Sequence, residues 1–138
     1  MPELESRYAA VLAQHVKAET AFDMEATLAT LTEDCVFEDM PTGVRHVGRD
    51  AVRRYYGQWW SAFGNVPARS RLHVPAGDLL IVETHFVGTH RGAFDGVAPS
   101  GRPIDLPVAI VVSFRDGLMS GERFYYDRAT LLSQIAPR

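Results

Sequence analysis

The 138-residue chain contains a single cysteine, Cys35. One thiol can close no internal disulfide and complete no cysteine-based zinc site. No apolar run approaches the ~20 residues needed to cross a bilayer. No Lys/Arg-rich stretch appears either, and the formal net charge is −3. That balance argues against nucleic acid and membrane as partners. A Gly-x-Gly-x-x-Gly turn, a P-loop lysine, His-Glu-x-x-His and Gly-x-Ser-x-Gly are also missing, so nothing marks a nucleotide, metal or serine-hydrolase site. The N-terminus, Met1-Pro2-Glu3-Leu4-Glu5, is acidic where a secretory leader is basic and then apolar. A cytoplasmic protein is expected. With 46% hydrophobic and 22% charged residues, no internal repeat and no low-complexity linker, the composition predicts one globular domain over 1–138 with one core.

The first half has helical spacing. From Glu3 to Ala21 neither Gly nor Pro interrupts the pattern. Asp23 can cap a shorter helix through Leu31, because its carboxylate can accept a free first-turn N–H. Cys35-Val36-Phe37-Glu38 reads as a short strand, and Met40-Pro41-Thr42-Gly43 as a turn. Gly48-Arg49-Asp50 opens a third helix, which carries Tyr55, Tyr56, Trp59, Trp60 and Phe63 and stops at Gly64.

After Gly64 the pattern changes. Arg69 to Val74, Leu79 to Gly88, Ile104 to Arg115 and Leu118 to Tyr126 are rich in β-branched and aromatic residues. Asp116-Gly117 joins the last two as a hairpin. Gly92 to Pro103 reads as an exposed loop, Pro107 as an edge or a bulge, and Ala129 to Ile135 as a closing helical turn or two. Helices followed by hairpin strands predict an α+β fold, three N-terminal helices packed on a curved antiparallel sheet. The cone-shaped hollow between the layers is the place for chemistry.

Polar residues interrupt two apolar patterns. On the first helix Leu4, Tyr8, Val11, Leu12 and Phe22 form one stripe, with His15 and Glu19 at its centre one turn apart. An ionisable pair there is either used, or half-exposed at a fraying end. A metal reading of the pair lacks a marked third ligand, so no metal and no cofactor are expected. On the last strand Arg123, Tyr125 and Asp127 share one side, and Glu122, Phe124 and Tyr126 the other. Asp127 either caps the closing helix or turns its carboxylate into the hollow as an acid or base. Asp39 is a turn residue or a second candidate. The aromatic cluster of the third helix can bury only one face, so part of it is free to line the hollow. His46 and His73 show no pattern.

The stretch Gly88-Thr89-His90-Arg91-Gly92-Ala93-Phe94-Asp95-Gly96-Val97-Ala98-Pro99-Ser100-Gly101-Arg102 resembles the GTHxGxFxGxxPTG segment of SnoaL-like polyketide cyclases, members of the nuclear-transport-factor-2-like superfamily. Phe114-Arg115-Asp116-Gly117, Tyr126-Asp127 and Leu131-Leu132-Ser133-Gln134-Ile135 resemble the family's FxDG and D…LLxQL ending. The helical half is similar too. The resemblance implies a cone closed by a curved sheet, often a homodimer through the sheet's outer face. It implies an aspartate on the last strand, matched best by Asp127, as the acid/base of an aldol closure. Ketosteroid isomerases, distant relatives, use an aspartate after the first strand, a position that Asp39 resembles.

Together these readings predict a cofactor-free general acid/base enzyme acting on a small apolar carbonyl or polyketide-like ligand. Asp127, His15, Glu19 and Asp39 are its candidate catalytic residues. Tyr8, Tyr56, Trp59, Trp60, His90, Arg123 and Tyr125 are its candidate substrate contacts. A non-catalytic binding domain of the same fold, or an epoxide or ester hydrolase, are the alternatives.

Overall fold

The computed structural model describes residues 3–137; Met1 and Pro2 of the acidic N-terminus, and Arg138, lie outside them. The elements run α1 (Ser6–Thr20), α2 (Met24–Ala29), β1 (Leu31–Asp39), β2 (Val44–Val47), α3 (Arg49–Phe63), β3 (Val66–Ala76), β4 (Leu79–Thr89), β5 (Pro103–Arg115), β6 (Leu118–Tyr126) and α4 (Arg128–Ile135). Local chemistry sets the ends of several. Asp23 Oδ1 accepts the Ala26 N–H at 3.1 Å and so starts α2. Gly48 and Gly64, at φ 86° and 54°, bracket α3. Asp116 and Gly117, at φ 53° and 77°, close the β5–β6 hairpin.

The strands form one curled sheet in the order β2-β1-β6-β5-β4-β3. Four of its ladders are antiparallel and the β1–β6 ladder is parallel. At that ladder Gly121 is required, because a Cβ there would overlap the Val36 carbonyl oxygen.

Strand boundaries differ from the sequence reading where prolines or charges obscured the pattern. β1 starts at Leu31 and not at Cys35, because Glu33 and Asp34 are exposed while Cys35, Phe37 and Asp39 turn inward. The short exposed β2 gave no sequence signal. β3 extends over Pro67 and Pro75, which an edge strand tolerates because one side of it needs no ladder. Pro107 sits in a central strand, yet the β5–β6 ladder begins only at Val108. The proline therefore occupies a local edge.

The core lies between the inner sheet face and α1, α3 and α4. Period-two alternation turns Ile104, Leu106, Val108, Ile110, Val112 and Phe114 of β5 inward, each 8% exposed or less. Burial of such side chains contributes ~1.5–3 kcal/mol apiece. They meet Phe63 of α3 and Leu131 and Ile135 of α4, all within one buried cluster. Between α1, α3 and the sheet the interior is left unfilled.

Candidate functional site

There the helices and sheet enclose a cavity of about 420 Å³. Its floor is the inner face of the sheet, with Val82, Thr84 and Phe86 on β4, Ile110 and Val112 on β5, and Glu122 and Phe124 on β6. Its walls are Tyr55, Tyr56, Trp59 and Trp60 of α3 and Leu12, His15, Val16 and Glu19 of α1. A register shift in β3 between Ala68 and Leu72, with Arg69 at φ 53°, falls where that strand lines the cavity. Bulges commonly re-aim a strand in this way beside a site.

His15 is the most constrained polar group. It is 1% exposed, and both ring nitrogens have partners. Thr30 donates its hydroxyl proton to the Thr27 carbonyl at 2.6 Å, so its oxygen accepts from His15 Nδ1–H at 2.8 Å. In the neutral ring that assignment leaves Nε2, the nitrogen opposite Thr30, without a proton. Around Nε2 lie the Tyr56 hydroxyl at 3.0 Å, Glu19 Oε2 at 3.4 Å and Glu122 Oε1 at 3.9 Å. Burial by itself lowers the pKa of the ring. The hydrogen bond and charge of Glu19, helped by Glu122, outweigh burial and hold it above the usual histidine value.

Glu122 is 7% exposed, and among the described residues its carboxyl group makes no hydrogen bond; His15 Nε2, at 3.9 Å, is within ion-pair distance only. Burial pushes its pKa up to about 8; His15 opposes the shift and Glu19 reinforces it. Burial thus favours the protonated carboxyl group, which can donate a hydrogen bond. Tyr56 is kept protonated well above the usual tyrosine range, by burial first and then by the carboxylates of Glu122 and Glu19. An imidazole between one carboxylate and one carboxylic acid can pass a proton either way. Among the described residues no three His, Cys, Asp or Glu side chains are arranged to hold a metal ion.

A second, wider cavity of about 770 Å³ lies on the other side of Tyr55 and Trp59, which line both. Asp39 is at its wall, 4% exposed. Its oxygens accept from the Tyr55 hydroxyl at 2.9 Å and the Tyr126 hydroxyl at 2.9 and 3.0 Å.

A family model described as SnoaL-like polyketide cyclase matches residues 8–135. The chain belongs to that family. Solved structures with the same fold include a candidate SnoaL-like polyketide cyclase from Jannaschia, at TM-score 0.85 and 19% identity over 100% of this chain and 98% of that one. A candidate polyketide cyclase from Xanthomonas campestris matches at TM-score 0.84 and 20% identity, over 94% and 97% of the two chains. A nuclear-transport-factor-2-like protein of unknown function from Burkholderia pseudomallei matches at TM-score 0.79 and 18% identity, over 96% and 100%. Among curated proteins, none matches in sequence. This SnoaL-like chain therefore has the nuclear-transport-factor-2-like α+β fold. No helix among its described residues is long and apolar enough to cross a membrane.

The structure brings together His15, Glu19, Tyr56, Trp59 and Trp60 of the expected site residues. Asp39 is buried, in the other cavity. Asp127 is exposed and caps α4, with Oδ1 accepting from Ala129 N–H at 3.1 Å and Oδ2 from the Thr130 hydroxyl at 2.8 Å. Of the two readings of Asp127, helix cap or carboxylate in the hollow, the contacts are those of the cap: the chain leaves the sheet at Tyr126 and the aspartate starts α4. Arg123 and Tyr125 pair with Val111 and Ala109 on the outer face, and Tyr125 is 42% exposed. Either phase of β6 carries a charge, and the inward one holds Glu122. Tyr8 is core, stacked on Phe114 at 4.7 Å. His90, fully buried, accepts the Ser100 N–H at Nδ1 and ties down the 90–102 loop without lining either cavity. Sequence reasoning missed Glu122 and Thr30. The signal for Glu122 was its phase with Phe124, an acid on an otherwise aromatic face.

Proposed function

We propose that the chain, one cytoplasmic domain over 1–138, is a cofactor-free general acid/base enzyme that closes or isomerises a small apolar carbonyl or polyketide-like molecule. The observation that supports this reading is the convergence of Glu19, Glu122 and Tyr56 on His15 Nε2 inside an aromatic cavity. The Glu19 carboxylate, coupled to His15, takes the proton from the carbon beside a carbonyl. The Glu122 carboxyl group donates to the oxygen on which negative charge develops, as a neutral buried acid can. In an aldol closure the enolate carbon attacks a second carbonyl, and the new alkoxide takes the Glu122 proton. His15 then returns a proton from Glu19 to Glu122, so no net proton is consumed. Each positioned group contributes ~10²–10⁴-fold in rate.

The test needs no knowledge of the natural substrate. Wild-type protein should accelerate exchange of the α-protons of 2-tetralone in D₂O, followed by NMR, and Glu122→Gln and His15→Ala should each slow it at least ~10²-fold. Exchange no faster than in buffer, or equal rates in the variants, overturns the reading.

A second reading, a ligand-binding domain without catalysis, is supported by the capping role of Asp127, which leaves the carboxylate matched to the family's acid/base outside the cavity. In either reading the protein pairs as a homodimer through the outer sheet face, where Leu72, Val74, Ile81 and Tyr125 are 38–42% exposed.

A further inference from the structure

The second cavity poses an electrostatic problem of its own. On β1 the side chains of Cys35, Phe37 and Asp39 alternate inward, and the last of them is a carboxylate where the pattern calls for an apolar group. Its hydrogen-bond partners are neutral: the hydroxyls of Tyr55 and Tyr126, and the Thr42 N–H at 3.4 Å. Among the described residues no cation lies within ion-pair distance of Asp39. Arg128, which also lines the cavity, pairs with Asp95 and reaches Asp39 only at second hand, through the Tyr126 hydroxyl. His46 stacks on Tyr55 at 4.3 Å, and burial lowers its pKa, so at neutral pH its ring supplies no counter-charge. Hydrogen bonds from hydroxyls spread a buried charge without cancelling it, and buried charges are as a rule paired.

The walls around this carboxylate are aromatic. Trp59 is the hub: the rings of Tyr55, Phe94 and Tyr126 lie 5.3 to 6.4 Å from it, with planes inclined by 63° to 86°. All four side chains line the cavity. Ring faces attract cations through their quadrupoles, tryptophan most strongly, and the attraction grows as water is excluded. An organic ammonium ion answers both features, since its charge balances the carboxylate and its alkyl groups cover the rings. A neutral apolar ligand would satisfy the walls and leave the charge unpaired. An inorganic cation would find oxygen only at Asp39 and the two tyrosine hydroxyls already bonded to it, and would lose the rest of its hydration shell against the faces of the rings.

We propose that the cavity beyond Tyr55 and Trp59 is a binding site for a small organic ammonium ion, with Asp39 as its counter-charge and the rings of Trp59, Tyr55, Phe94 and Tyr126 as its walls. The site is separate from the His15–Glu122 cavity and does not depend on the chemistry proposed there.

Choline and its uncharged isostere 3,3-dimethyl-1-butanol test this by NMR titration of the full chain. Choline should bind saturably, with intermolecular NOEs from its methyl groups to the Phe94 and Tyr126 rings. The isostere should bind about tenfold more weakly or worse. Asp39→Asn should cost choline a similar factor and leave the isostere unchanged, and Phe94→Leu should weaken choline while keeping the carboxylate. Absence of saturable choline binding overturns the proposal. So do equal affinities for the two probes, or NOEs to Ile110 and Val112, which would place the ligand in the other cavity. Should Asp39→Asn fail to fold, the isostere comparison and Phe94→Leu still decide.

Discussion

His15 Nδ1 lies 2.8 Å from Thr30 Oγ1, and the threonine proton is already committed to the Thr27 carbonyl. One hydroxyl at the end of α2 thereby selects which imidazole nitrogen carries the proton in the neutral ring. Thr30→Val preserves shape and removes the acceptor. The buried Nδ1–H then loses its partner, at a cost of about 1–3 kcal/mol, and neutral His15 shifts towards the Nε2–H tautomer. Imidazole ¹⁵N shifts report this directly, and Thr30→Ser should restore them. Unchanged shifts in Thr30→Val would show that the hydroxyl does not set the tautomer.

Stability should fall with rising pH. The pKa of Glu122 is raised to about 8, against an ordinary 4.5, so between those values the folded chain keeps a proton that the unfolded chain releases. The raised pKa of His15 acts in the same direction above 6.5. Urea midpoints should therefore decline from pH 5 to pH 8 and beyond, and Glu122→Gln should flatten the carboxyl part of that decline. A wild-type midpoint that climbs through this window contradicts the assignment.

Asp127→Ala removes the α4 cap, so it should cost about 0.5–2 kcal/mol of stability while leaving α-proton exchange at the wild-type rate. A thermal melt and the exchange assay separate the two effects. Loss of exchange in a folded variant would return Asp127 to the chemistry.

Ile81→Asp places a charge in the outer apolar face without touching either cavity. If copies pair through that face, sedimentation should show a dimer for the wild type and a monomer for the variant. A wild-type monomer at the highest soluble concentration removes the dimer.

Much of the architecture is written in local signals. Asp23, Gly48, Gly64 and Asp116-Gly117 act within a few residues of themselves, and each ends or starts the element it was expected to. The parallel β1–β6 ladder is not legible in this way, because it joins residues far apart in the chain, such as Val36 and Gly121, and depends on Gly121 approaching Val36. The site divides along the same line. His15 and Glu19 stand out because one turn of helix spaces them. Glu122 was masked by Arg123, since alternation reveals two faces of a strand without saying which is inside. Asp127 fits a helix cap and a family motif at once, and its contacts are those of the cap.

Tyr55 and Trp59 stand one turn apart on α3 and serve both cavities. The two compartments are consequently neighbours with a common partition. Trimming the indole to enlarge one enlarges the other, and a bulkier ring crowds both. Any lineage that retunes what fills the first must therefore accept a changed fit in the second.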